Sequence, residues 1–130
     1  MVTTTFPIRN LHLEYKLWIV ELTFYEEMIR IFENHLEHIV AQNRAHKDVL
    51  SQVEHFQNQF IREKEVIDEL KHDLNVSEKQ LASFTHEMIG IGYEFERLDN
   101  HPKLRDEFLI FKKIFSELKD EFHKFEEDNI

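Results

Sequence analysis

Residues 11–39 read LHLEYKLWIVELTFYEEMIRIFENHLEHI, and within them Leu11, Tyr15, Trp18, Leu22, Tyr25, Ile29, Phe32, Leu36 and Ile39 recur at alternating spacings of four and three. Alternation sustained over about four heptads is the mark of a helix that packs along one face against partner helices. Pro7 suits a first turn and Asn10 can cap it, so the first helix is expected over 8–42. The polar run 41–48 then breaks the phase. A new register follows in Val49, Val53, Phe56, Phe60, Glu63, Ile67, Leu70 and Leu74, which predicts a second helix over 47–74.

The next six residues decide the helix count. Asn75 with Glu78, and Ser77 with Gln80, form two overlapping capping boxes, each able to satisfy free amides where a helix begins. On that reading a third helix spans 77–99, with Leu81, Phe84, Met88, Ile91, Phe95 and Leu98 along its seam and Gly90 and Gly92 giving bulky neighbours room. Asp99-Asn100-His101-Pro102 supplies a turn, and Leu104, Phe108, Phe111, Phe115, Leu118, Phe122 and Phe125 predict a fourth helix over 102–127. Short connections force neighbouring helices antiparallel. The expected fold is therefore all-α, an antiparallel up-down four-helix bundle with left-handed heptad packing, in one domain spanning 1–130. Counting outward from each turn puts Ile29, Phe60, Ile91 and Phe111 in one layer, Tyr25, Glu63, Met88 and Phe115 in the next, and Trp18, Leu70, Leu81 and Phe122 in another.

Composition agrees with a helical chain. Two glycines and two prolines in 130 residues fall far below the usual share of about 12% for the pair, leaving little material for tight turns or long loops. With no cysteine, disulfides, thiolate metal sites and cysteine nucleophiles are all ruled out. The N-terminal residues have neither the basic start nor the apolar run of a signal peptide, and no stretch approaches a membrane span, so a cytoplasmic location is expected. A formal net charge of −10 without a compact basic stripe argues against nucleic acid and anionic lipid as partners.

The stretches Glu54-His55-Phe56-Gln57-Asn58-Gln59-Phe60-Ile61 and Ile67-Asp68-Glu69-Leu70-Lys71-His72 resemble small uncharacterised helical-bundle proteins of Bacteroidetes-type bacteria. The likeness lies mainly in the second helix, with weaker echoes in the first and last. It implies a helical fold and carries no activity with it.

Nine histidines invite a test for metal, because imidazole and carboxylate are the usual ligands inside helical bundles. The ferritin type of di-metal site needs a Glu from each of two helices and a Glu-x-x-His pair from each of the other two. Glu69 with His72, and Asp120 with His123, approach that spacing, and Glu21 and Glu78 could complete the set. Asp120 departs from the pattern. Heptad phase also turns both pairs away from the seam held by Leu70, Leu74, Phe122 and Phe125. A second cluster, His35, His38 and His55, together with His46 and His101, is expected near one end of the bundle, where solvated histidines are the commoner outcome. No cofactor is expected.

Two polar residues fall on the seams. Glu63 is expected to be buried, with the Tyr25 hydroxyl as its hydrogen-bond partner; register-setting is favoured over acid–base catalysis, since no nucleophile or phosphate loop accompanies it. A different signal points outward. Leu13, Leu17, Val20, Phe24 and Ile31 form a second apolar series on the first helix, directed away from its seam. A helix apolar on opposite sides must sit centrally or cover its outer side with another molecule. The functional expectation is a non-enzymatic protein acting through protein association, as a homodimer or with another helical protein, with a metal-binding bundle as the alternative.

Overall fold

The computed structural model describes residues 8–87 and 101–129, which form three helices: α1 (Ile8–Gln42), α2 (Lys47–Glu87) and α3 (His101–Asn129). The chain is all-helical over those residues, and no described helix is long and apolar enough to cross a membrane. Gly90, Gly92 and the seam positions Met88, Ile91, Phe95 and Leu98 lie outside the described residues.

The expected break at 75–80 does not occur. α2 passes through Asn75-Val76-Ser77-Glu78-Lys79-Gln80 without interruption, and this overturns the four-helix count. The reason lies in the seam. Ile67, Leu70, Leu74, Ser77 and Leu81 keep the alternation of three and four, and all five are buried. Ser77 is the small polar member of an otherwise apolar row, so phase is maintained across the apparent turn. A capping box satisfies backbone amides at a helix start, but the carbonyls of a preceding turn satisfy the same amides, and nothing in this stretch prevents them: it holds neither proline nor glycine.

One long α2 changes how the helices pair. Contacts between α1 and α2 run in opposite directions along the chain: Glu33 meets Lys64 at 2.9 Å, Glu26 meets Lys71 at 2.6 Å and His12 meets Glu78 at 2.8 Å. Against α3, α1 runs in the same direction: Glu14 meets Arg105, Glu21 meets Lys112 and His35 meets Glu126. In the four-helix expectation the first and last helices were antiparallel, and Phe122 shared a layer with Trp18. Instead Trp18 stacks on Phe108 with centroids 5.1 Å apart, and Phe122 packs on Phe32, Phe56 and Phe60 at 4.9, 5.3 and 5.2 Å.

All three seams follow one heptad frame. In α1, Tyr15, Leu22, Ile29 and Leu36 take position a, and Leu11, Trp18, Tyr25, Phe32 and Ile39 take d. In α3, His101, Phe108, Phe115 and Phe122 are a; Leu104, Phe111, Leu118 and Phe125 are d. These side chains supply most of the buried core, in which aromatic rings meet between helices tilted, edge-on or, at Trp18, stacked. Each fully buried large side chain contributes about 1.5 to 3 kcal/mol.

Continuity of α2 has a direct test. Val76 would be the first helical residue after an Asn75 cap, a place that accepts proline, whereas within an unbroken helix proline removes a hydrogen bond and clashes with the preceding turn. Val76→Pro is expected to lower unfolding free energy by about 3 kcal/mol or more, measured by urea denaturation.

Candidate functional site

The outward face of α1 is the most extensive feature not consumed by folding. In the heptad frame Leu13 and Val20 are at f, and Leu17, Phe24 and Ile31 at c, the positions opposite the seam. All five are exposed, Val20 at 67% and Phe24 at 60% of full accessibility. Over 13–34, positions b, c and f carry only Lys16, Glu27 and Arg30 as charged groups, and Arg30 is paired with Glu27. A chain of formal charge −10 therefore has one helix face that is apolar and close to neutral.

The flanks of α1 are engaged instead. Its e positions (His12, Glu26, Glu33) face α2 and its g positions (Glu14, Glu21, His35) face α3, each meeting a partner of opposite or titratable charge. Tyr25 belongs to this flank. Its hydroxyl donates to Glu21 Oε1 at 2.9 Å, one turn back on the same helix, and burial together with that carboxylate pushes its pKa up to about 12. The expected Tyr25–Glu63 hydrogen bond is thus absent; the nearer carboxylate wins because it lies at i−4 and already faces α3.

Glu63 is buried as expected, at 3% of full accessibility, with no hydrogen bond or ion pair to any described residue. Loss of hydration raises its carboxyl above the usual range, and the nearby Arg62 opposes this. It lines a cavity of about 330 Å³ between α2 and α3.

The metal candidates are not brought together. Phe122 sits beside Phe56 and Phe60, so Asp120 and His123 lie roughly 15 Å along the bundle from Glu69 and His72, at 1.5 Å per helical residue. Glu69, His72, Asp120 and His123 are all exposed, while Glu21 holds Tyr25 and Lys112, and Glu78 holds His12. His35 bonds Glu126 at 2.9 Å, and both share a cavity of about 260 Å³ with His38. His55 is not among them, and its ring lies against Phe56. Among the described residues no three His, Asp or Glu side chains gather to hold a metal ion.

His101 was expected at the His35 end, with the other histidines. Because α2 does not turn back at 75, α3 begins at the opposite end, and His101 packs beside the start of α1. It is 2% exposed, its Nδ1 stands 3.0 Å from the Tyr15 hydroxyl, and the Trp18 indole stacks on its ring at 5.9 Å and 9°. Its Nε2 is 3.6 Å from Glu14 Oε2, and Glu14 also accepts from Arg105. A carboxylate on that side favours the tautomer with hydrogen on Nε2, so Nδ1 accepts from Tyr15. Burial lowers the His101 pKa against the attraction of Glu14 and with help from Arg105; the Tyr15 hydroxyl is driven up to about 12. So buried, the group joins helices and is closed to substrate. Its place was legible in the sequence, since His101 continues the row Leu104, Phe108 and Phe111 at the same spacing.

Comparison with protein-family models, with characterised proteins and with solved structures finds no match for the chain.

Two stability profiles test these polar sites. Since the folded His101 pKa lies below its unfolded value of about 6.5, its contribution is intact above that pH and lost as pH falls through the folded pKa. The stability advantage of wild type over His101→Gln should therefore shrink on acidification below about pH 6.5, in urea melts across a pH series. Glu63 has the opposite sign: its folded pKa is raised, so stability present below about 4.5 is lost as pH rises through the folded pKa. Glu63→Gln should raise the midpoint at pH 7, by an amount equivalent to about 1 to 3 kcal/mol, and should lose that gain near pH 4.

Proposed function

We propose that this protein is a non-enzymatic helical bundle that acts through protein association, forming a homodimer through the outer face of α1. The observation that carries this reading is the exposed row Leu13, Leu17, Val20, Phe24 and Ile31, opposite the seam and nearly free of charge. Contiguous exposed apolar strips of this kind are uncommon on monomers and usually mark contact surfaces. Leu109, exposed on the α3 flank nearest α1, extends the strip.

Energetics favour a second copy. At about 25 cal/mol per Å², a strip of a few hundred square ångströms per subunit yields several kcal/mol before the cost of association. Repulsion between two chains of formal charge −10 opposes it, yet salt screens charges beyond about 8 Å, and here the contact face itself holds two cations and one anion. Phe24 and Val20, central in the row, are the expected anchors. A metal-binding bundle has less support, because its ligands stand apart or are engaged with other side chains.

Mass by light scattering over a concentration series tests the reading. Wild type should approach twice the chain mass, and Leu17→Glu combined with Phe24→Glu should give a monomer with unchanged helical circular dichroism. A wild type that stays monomeric up to millimolar concentration overturns the proposal.

A further inference from the structure

The three junctions between helices are not built alike. Where α1 meets α2, Glu33–Lys64 and Glu26–Lys71 close the flank; where α1 meets α3, Glu14–Arg105 and Glu21–Lys112 do so. Between α2 and α3 no ion pair forms among the described residues. The inward-flanking g positions there carry Val66 and Asp73 on α2, and Glu107 and Ile114 on α3. Asp73 and Glu107 have like charge and cannot close the junction.

What the junction holds is the cavity of about 330 Å³. Its apolar wall is Val66, Leu70, Ile110, Phe111 and Ile114; its acidic groups are Glu63, Glu69, Asp73 and Glu107, against the single cation Arg62. Acidic rims are common and carry little meaning alone. Glu63 is different: it occupies a d position that apolar residues hold elsewhere in α2 except at Ser77, it is almost wholly buried, and no described residue bonds it. A carboxyl that keeps little water and gains no donor from the described residues destabilises the fold. A cation that enters the cavity would supply the missing donor.

We propose that the α2–α3 groove binds a small hydrophobic amine, its ammonium on the Glu63 carboxylate and its apolar body against Val66, Leu70, Phe111 and Ile114. The chemistry of the walls selects this class. A hydrated metal ion would find one buried carboxylate and an apolar wall, and among the described residues no three ligating side chains converge there. An anion would face four carboxyl groups. A neutral apolar molecule would leave Glu63 without a donor, whereas an ammonium provides three. The volume sits at the small end of ligand sites, with room for roughly ten non-hydrogen atoms at about 30 Å³ each. An ammonium against Glu63 favours its charged form, opposing the burial that raises its carboxyl pKa in the free protein.

Isothermal titration calorimetry with n-hexylamine at pH 7 tests this, using 1-hexanol and methylamine as probes that each keep one half of the recognition. Wild type should bind n-hexylamine saturably at one site per chain, with both other probes at least about tenfold weaker. Glu63→Gln should weaken n-hexylamine at least about tenfold while melting cooperatively. Ile114→Trp, at a half-exposed wall position, should obstruct the groove and reduce binding with Glu63 in place. Absence of saturable n-hexylamine binding, equal binding of 1-hexanol, or undiminished binding by Glu63→Gln would each overturn the proposal.

Discussion

Continuity of α2 through residues 75–80 governs the arrangement of everything else. A 41-residue helix spans about 60 Å, and its far part lies beside the start of α1, where Glu78 meets His12. α3 runs alongside α1 in the same direction, as Glu14–Arg105, Glu21–Lys112 and His35–Glu126 show. From that follow the Tyr15–His101 contact, the pairing of α1 g residues with α3, and a groove between α2 and α3 that no ion pair among the described residues closes. The continuity depends on Ser77. Its small side chain keeps the seam in phase, and burial of Leu74 and Leu81 on either side holds the backbone helical there.

Core and flank obey a single register between α1 and α3. The a-position contact Tyr15–His101 spans 86 residues, and the flanking pairs Glu14–Arg105 and His35–Glu126 span 91. In a heptad, g stands one before and e four after an a residue, so the difference of five makes these pairs the flanks of the same core alignment. Sliding α3 by one heptad would break the buried hydrogen bond and unstack Trp18 from His101 and Phe108, whereas Arg105, Lys112 and Lys119, one heptad apart, could still offer cations to Glu14 and Glu21. Exposed ion pairs contribute little individually, about 0 to 1 kcal/mol, so the buried Tyr15–His101 bond is the stronger determinant of register.

Two polar groups in the core thus have opposite consequences. Burial disfavours the charged form of His101, its Nδ1 is satisfied by Tyr15, and Glu14 and Arg105 stand at its edge. Glu63 gives up most of its hydration and receives no hydrogen bond from the described residues, which makes it a liability for folding and the anchor of the proposed amine site. The outer face of α1 presents the complementary case: apolar where solvent is expected, and close to neutral on a strongly acidic molecule.

Helical class, the seam of α1, the burial of Glu63 and the outward series from Leu13 to Ile31 were all legible in the sequence, because each follows from the spacing of apolar residues along one helix. The site at His101 was also written there, in its phase with Leu104 and Phe108, though the turn signal of Asp99-Asn100-His101-Pro102 masked it. Helix count was not legible. Capping boxes and a continuing heptad overlap at 75–80, and local backbone chemistry is satisfied equally well by either; the burial of Ser77 and Leu81 against other helices is what separates them. The hydrogen bond of Tyr25 was not legible either: seam periodicity pointed to Glu63, whereas Glu21, one turn back on the same helix, takes the hydroxyl. Only the parallel placement of α3 brings Lys112 to Glu21, fixes that carboxylate beside the Tyr25 hydroxyl, and leaves Glu63 facing the α2–α3 groove.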